Sequence, residues 1–170
     1  MVQRCFQLAN GARLIHSCDE VHFPTLHSKH WFDFVVLFKH EMFVILDSAF
    51  DADSDFHQHV FNILFYDLPL VSVYFLQIPN FKRVWNMYGS SRNLNWRNWT
   101  THFIDVPKQS NEFDCGIYTA LFLKHWKPGV LMHDILKDED IANIRIRMAN
   151  EMMFTNHNIL NDHKKLVLEF

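Results

Sequence analysis

Hydrophobic positions in this chain fall into short runs of two kinds. "FDFVVLF" and "MFVILD" are dense in β-branched and aromatic residues and only "KHE" separates them, so they predict two adjacent strands joined by a tight turn, starting just after His30. "VHFPT" upstream is a further strand-like run. Past the acidic turn "DADSD" a long apolar region predicts a helix near 56–66, and Pro69 and Pro79 break the segment after it. "NFKRVWNMY" fits another short helix, with a Gly-Ser-Ser-Arg-Asn loop after it. "THFIDV" reads as a strand that Pro107 ends, because proline cannot donate to a ladder. In "CGIYTALFLKHW", Ile117, Leu121 and Lys124 or His125 recur at helical spacing, and Asp114 stands where an N-cap belongs. "IANIRIRMANEMM" aligns Ile141, Ile144, Met148 and Met152 on one helical face, expected to pack on the core. Strands and helices are intermixed and one hairpin is antiparallel, so the fold class expected is α+β with a mixed or antiparallel sheet.

Composition narrows the possibilities. The chain has 170 residues, 49% of them hydrophobic, with seventeen Phe and five Trp, enough for a single domain with a substantial core. Four Gly, five Pro and no repeat leave no sign of a linker or an internal boundary. A net charge of −3 without a long Lys/Arg cluster gives no footprint for nucleic acid. "MVQRCFQLANGARL" lacks the apolar run of a secretory signal, so an intracellular location, nuclear or cytoplasmic, is expected. Asn62, Asp67, Pro69 and Gln77 interrupt the longest apolar stretch, which makes it core and not a membrane span. Cys5, Cys18 and Cys115 form neither an even disulfide set nor a CxxC pair and are expected to be reduced.

Cys115 is the residue with the most chemistry to offer. A cysteine opening a helix faces the positive end of the dipole and free backbone N–H groups, which favour a thiolate and can hold an oxyanion. Gly116 beside it leaves room for a substrate backbone. Asp114 would oppose the thiolate, so a cationic partner is required, usually a histidine. The competing reading is a buried small hydrophobe, a common fate for cysteine on a helix.

"DVPKQSNEFDCGIY" resembles the signature of the ubiquitin-like protease family, the SUMO-specific cysteine peptidases, in which Pro and Gln precede Asn and then Asp-Cys-Gly. That family also has a His-Trp pair entering a strand and an Asp-Ser closing the next. Here "HSKHWFDFVVLF" supplies His30 and Trp31, and "FVILDSAF" supplies Asp47 and Ser48. The resemblance is clear over residues 21–126, and "IRIRMANEMM" is similar to the family's C-terminal helix. It implies a cysteine-peptidase fold with a central mixed sheet flanked by helices and a triad in the order His-Asp-Cys. Cys115 would be the nucleophile, His30 the general base and later acid, and Asp47 the group orienting the imidazole. Gln109 and the Cys115 backbone N–H would hold the oxyanion, and Trp31 would cover the Gly-Gly tail of the modifier.

The implied activity is cleavage after the C-terminal Gly-Gly of SUMO, without metal or organic cofactor and with no nucleic-acid or membrane partner. The same chemistry on another ubiquitin-like modifier, and an inert relic or binding module, are the alternatives. Relative to the family the chain is expected to lack an N-terminal portion that includes a second tunnel tryptophan, and "VSVYFLQIPNF" has no family counterpart. His57 and His59 in "HQH", and His125 with His133, have no companion Cys or Asp at metal-site spacing. Trp96 and Trp99 are expected to pack the core ahead of the strand.

Overall fold

The computed structural model describes residues 18–65, 83, 85, 94, 95 and 98–168. Cys5, Trp96, the breaks at Pro69 and Pro79, the loop at 89–93 and the "VSVYFLQIPNF" segment lie outside the described residues, as does most of "NFKRVWNMY".

A four-stranded mixed sheet organises the described chain. Its strands are β1 (Glu20–His27), β2 (His30–Leu37), β3 (Met42–Leu46) and β4 (Thr100–Phe103), side by side in that order. β1 and β3 both run antiparallel to β2, whereas β4 joins β3 in parallel, as a distant segment returning to the sheet can. The expected hairpin is β2–β3, with Leu37 opposite Met42. A second hairpin, β1–β2, turns through Ser28 and Lys29, both at positive φ (48° and 66°) as the twist-matched type I′ turn demands. The "THFIDV" strand is shorter than expected and ends at Phe103.

Both faces of β2 and β3 are buried, which explains why these strands read as continuous apolar runs instead of alternating. Phe32, Phe34, Val36, Phe43 and Ile45 face one layer, closed by Val60 of helix α1 (Asp55–Phe65) together with Trp85, Leu94 and Trp99. Trp99 is therefore core, as expected. Val35, Leu37, Val44 and Leu46 face the other layer, closed by Tyr118, Leu121 and Phe122 of helix α2 (Cys115–His125) and by Met132, Leu136 and Ile141. Burying each large apolar side chain of this kind stabilises by about 1.5–3 kcal/mol. The one polar residue between Phe32 and Leu37, Asp33, is fully buried and takes a 2.6 Å hydrogen bond from His22 of β1.

Short 3-10 turns at Met132–Asp134 and Asp138–Asp140 lead into α3 (Ile141–Phe154), followed by α4 (Asn161–Leu168). The apolar stripe expected along α3 holds only for its first turns. Ile141 is buried and Ile144 packs on the core, but Met152 is 71% exposed. The helix approaches the core at its N-terminal end and then runs along the surface.

The Ser28–Lys29 turn gives a stability prediction. Lys29→Gly relieves a left-handed conformation at a non-glycine residue and is expected to raise stability by about 0.5–1 kcal/mol. The midpoint of urea unfolding checks it, and an unchanged or lower midpoint would show that the turn holds no such strain.

Candidate active site

The pairing of β2 with β3 dictates where Asp47 and His30 meet. Asp33 lies opposite Leu46, so residue 47 falls just beyond β3, across from Phe32. His30 is two residues before Phe32 and shares its face, so the contact is diagonal. His30 Nε2 donates to Asp47 Oδ1 at 2.8 Å, and both side chains are buried. A carboxylate can only accept, so Nε2 carries the proton and Nδ1 is the nitrogen left to face a thiol. The rings of Phe50 and Phe56 stand edge-on to the imidazole, 5.0 and 5.4 Å away between centroids.

Asp47 is held from several directions. Besides His30, its Oδ1 accepts the backbone N–H groups of Ala49 (2.7 Å) and Phe50 (3.0 Å), closing the turn after β3. Its own backbone carbonyl accepts from Lys108 Nζ, which also reaches the Phe50 carbonyl and the Asp51 carboxylate. The other carboxylate oxygen, Oδ2, lies 3.0 Å from Nε2 of His57, a fully buried residue of α1. Burial alone would push the Asp47 carboxyl up. Hydrogen bonds from His30 and His57, the charge of His30 and the Phe50 N–H overcome that and hold it well below the usual carboxylate range.

Gln109 docks on the residue after Asp47. Its backbone N–H donates to the Ser48 carbonyl (2.8 Å), and its side-chain oxygen accepts from the Ser48 hydroxyl (2.7 Å). Its Nε2 donates to the Asn111 carbonyl at 2.5 Å, and because that oxygen can only accept, the amide orientation is decided. One N–H of the amide is spent there and the second is left to donate elsewhere. A further tether comes from Asp138, whose Oδ1 accepts from the buried Tyr118 hydroxyl (2.6 Å) and from Ser110 N–H (3.3 Å). Burial and the neighbouring Asp138 both push the Tyr118 phenol up, so it remains a donor. His30, Lys29, Phe50, Gln109, Asn111 and Glu112 are among the residues lining one cavity of about 570 Å³.

Cys115 opens α2 as expected, 5% exposed and with a free thiol. As the first helical residue, its N–H has no acceptor within the helix. The helix start abuts β2 beside His30: a Cβ placed on Gly116 would sit 3.7 Å from Trp31 Cδ1, ordinary contact. Among the described residues nothing thus demands glycine at 116, although glycine in a helix costs about 1 kcal/mol relative to alanine. Trp31 is 37% exposed, too open for plain core.

Asp114 differs from expectation. It stands at the N-cap position and its carbonyl accepts from Ile117 and Tyr118, but its carboxylate makes no capping bond. Asn111 instead ties the turn ahead of the helix, its side-chain oxygen accepting the N–H groups of Phe113 and Asp114. The buried Asp114 carboxylate instead pairs with Arg145 of α3 and accepts from Asn111 Nδ2. The Arg145 guanidinium also lies over the Phe113 ring, 5.4 Å from its centroid. The charge that would oppose a thiolate at 115 is thus offset before any histidine is considered. Arg145 and His57 are functional candidates that the sequence pattern did not single out. The signal for Arg145 was a cation, one of two in "IRIRM", on a helix otherwise read as packing, and for His57 an apolar helix interrupted by histidine. Among the described residues no cluster of three or more His, Cys, Asp or Glu side chains is disposed to hold a metal ion, and no helix is long and apolar enough to cross a membrane.

The profile of the Ulp1 protease family, C-terminal catalytic domain, matches residues 2–157. The chain belongs to the Ulp1 protease family. A comparison with curated protein sequences returns no match. Among solved structures, the C-terminal Ulp1 protease domain in complex with Smt3, the yeast orthologue of SUMO, is 19% identical with a TM-score of 0.51, over 75% of this chain and 48% of that one. The SUMO protease Ulp1 with its catalytic cysteine oxidised to a sulfinic acid is 19% identical with a TM-score of 0.52, over 78% and 51%. A sulfonic acid form of Ulp1 is 17% identical with a TM-score of 0.53, over 77% and 51%. At such identities the likeness is one of fold, α+β with a mixed sheet between helices. The chain spans about half the length of these Ulp1 domains.

The charges around the site lead to two predictions. Arg145→Met leaves the Asp114 carboxylate buried without its cation and is expected to lower stability by about 1–3 kcal/mol. It should also slow alkylation of Cys115 by iodoacetamide, with Asp114→Asn in the same background restoring the rate. Equal rates in all three proteins would show that Asp114 does not act on the sulfur. The second prediction concerns acid. Burial, and then the neighbouring His59, lower the pKa of His27 below its ordinary 6.5, so the unfolded chain takes up this proton more readily than the folded one. Its contribution to stability is complete above pH 6.5 and is lost as the pH falls beneath that value. The depressed Asp47 carboxyl adds a separate loss below pH 3.8. Thermal unfolding across pH should show His27→Phe blunting the first decline and not the second.

Proposed function

We propose that this chain is a thiol-dependent peptidase or isopeptidase that cleaves after the C-terminal Gly-Gly of SUMO, acting as one catalytic unit. The observation that carries the reading is the buried His30–Asp47 hydrogen bond, with Nδ1 of His30 left for a thiol. Membership of the Ulp1 protease family supports the reaction class, and the solved complex of Ulp1 with Smt3 favours SUMO as the modifier.

In the reaction proposed, His30 Nδ1 accepts the Cys115 proton and the thiolate attacks the carbonyl carbon of the last glycine. The oxyanion is met by the Cys115 N–H and by the second N–H of Gln109 Nε2. Collapse expels the amine, which takes the proton from His30, and leaves a thioester. Water, giving its proton to His30, then hydrolyses the thioester and frees the modifier's carboxylate, and that proton returns to the departing thiolate. Asp47 holds the imidazole in its reactive tautomer and steadies the imidazolium. The half-exposed Trp31 ring beside Gly116 makes a flat wall against which a Gly-Gly tail fits, and this gives a reason for glycine at 116 that the fold itself does not.

Covalent capture tests the reading. Incubation with SUMO carrying a C-terminal electrophile, beside a ubiquitin equivalent, should give a mass shift with SUMO alone and none in Cys115→Ala. An adduct with ubiquitin alone would reassign the modifier. No adduct with either probe from folded protein would favour the inert binding module.

A further inference from the structure

His57 is a fully buried imidazole that the proposed reaction does not use. It sits in a box of aromatic rings, edge-on to Phe32, Phe50, Phe56 and Phe103 at centroid distances of 4.7–6.3 Å. Among the described residues one charged group meets it through that box: Asp47, whose Oδ2 is 3.0 Å from His57 Nε2. The N–H axis is off-line from that oxygen, so the bond is bent. Neither Asp47 Oδ2 nor either ring nitrogen of His57 has a hydrogen-bond partner of ordinary geometry among the described residues, so the Nε2–Oδ2 approach is the one polar contact open to both. The two carboxylate oxygens of Asp47 are thus divided: Oδ1 serves His30 and two backbone N–H groups, while Oδ2 has His57 alone among the described residues.

We propose that His57 is a positioning residue for the peptidase reaction, donating its Nε2–H to Asp47 Oδ2 so that the carboxylate cannot rotate and Oδ1 stays aimed at His30. The inference rests on the proposed function, since it concerns the group that orients the base. Its physical basis is that the backbone donors of Ala49 and Phe50 fix one oxygen only. A partial turn about the last side-chain bond would swing the accepting oxygen out of line with the His30 Nε2–H and leave the imidazole with a poorer hydrogen bond. A donor on Oδ2, rigid because four aromatic rings pack its own side chain, removes that freedom without adding a flexible group. An imidazole spent only on filling space would be a poor choice there, because an apolar side chain would avoid burying two ring nitrogens.

The test uses wild type, His57→Gln, which keeps a terminal N–H donor, and His57→Leu, which does not. Rates of iodoacetamide alkylation of Cys115 against pH report the thiol–imidazole pair without any modifier. Turnover of SUMO bearing a C-terminal fluorogenic amide separates kcat from KM. His57→Leu is expected to lower kcat roughly ten- to a hundredfold with KM unchanged, as loss of alignment at the reacting groups does. It should also weaken the low-pH limb of the alkylation profile, and His57→Gln should recover most of both. If the variants lose rate equally, or neither does while wild type keeps its low-pH limb, the positioning role is overturned and the peptidase reading stands. If wild type itself shows no low-pH limb, the peptidase reading fails and takes this inference with it. Should both variants unfold, long-range proton–nitrogen NMR of the wild-type imidazoles decides: a proton on His57 Nε2 supports the role, and one on Nδ1 alone overturns it.

Discussion

Everything at this end of the sheet is arranged around one buried carboxylate. Asp47 lies just past β3, out of water, where an unpaired negative charge would be prohibitive. The chain supplies donors from β2 and from its own turn and brings an imidazole of α1 against the second oxygen, so different parts of the molecule are held in register with one another. Lys108 fastens the same turn from outside, through the carbonyls of Asp47 and Phe50. The need to satisfy one anion therefore aligns strand, turn and helix, and the imidazole of His30 is oriented as part of that solution.

A second anion, Asp114, poses the opposite problem. It is buried beside the cysteine, where its field would disfavour a thiolate, yet its backbone is part of the turn that starts α2. Arg145 and Asn111 engage its carboxylate, so that its charge is offset where the helix begins. The Gln109 loop is stitched to this arrangement by Ser48 on one side and by Asp138 on the other.

Local chemistry was legible where one segment decides the outcome. The turn between β2 and β3, the helix beginning at Cys115 and the strand that carries His30 all arise from short runs of residue types, and the buried double face of β2 is written in "FVVL". Pairings between distant segments were not. The diagonal of His30 onto Asp47 needs the register, the parallel return of β4 needs the crossover, and the partnership of Asp114 with Arg145 needs the packing of α3. Met152 shows the same limit, since a periodic stripe says which residues share a face but not how far the core extends beneath it. Asp114 departs from the pattern because any Asp before a helix looks like a cap, and here its carboxylate is drawn off to Arg145 and Asn111.

The Asp114–Arg145 pair carries a consequence for the order in which the molecule is made. Arg145 comes after the cysteine by the whole of α2, two 3-10 turns and the start of α3. A chain growing from its N-terminus presents the thiol and its adjacent anion well before the cation that silences that anion exists. The buried carboxylate beside the cysteine therefore gains its cation only when α3 docks, so the turn that opens α2 completes its polar contacts after most of the scaffold is in place.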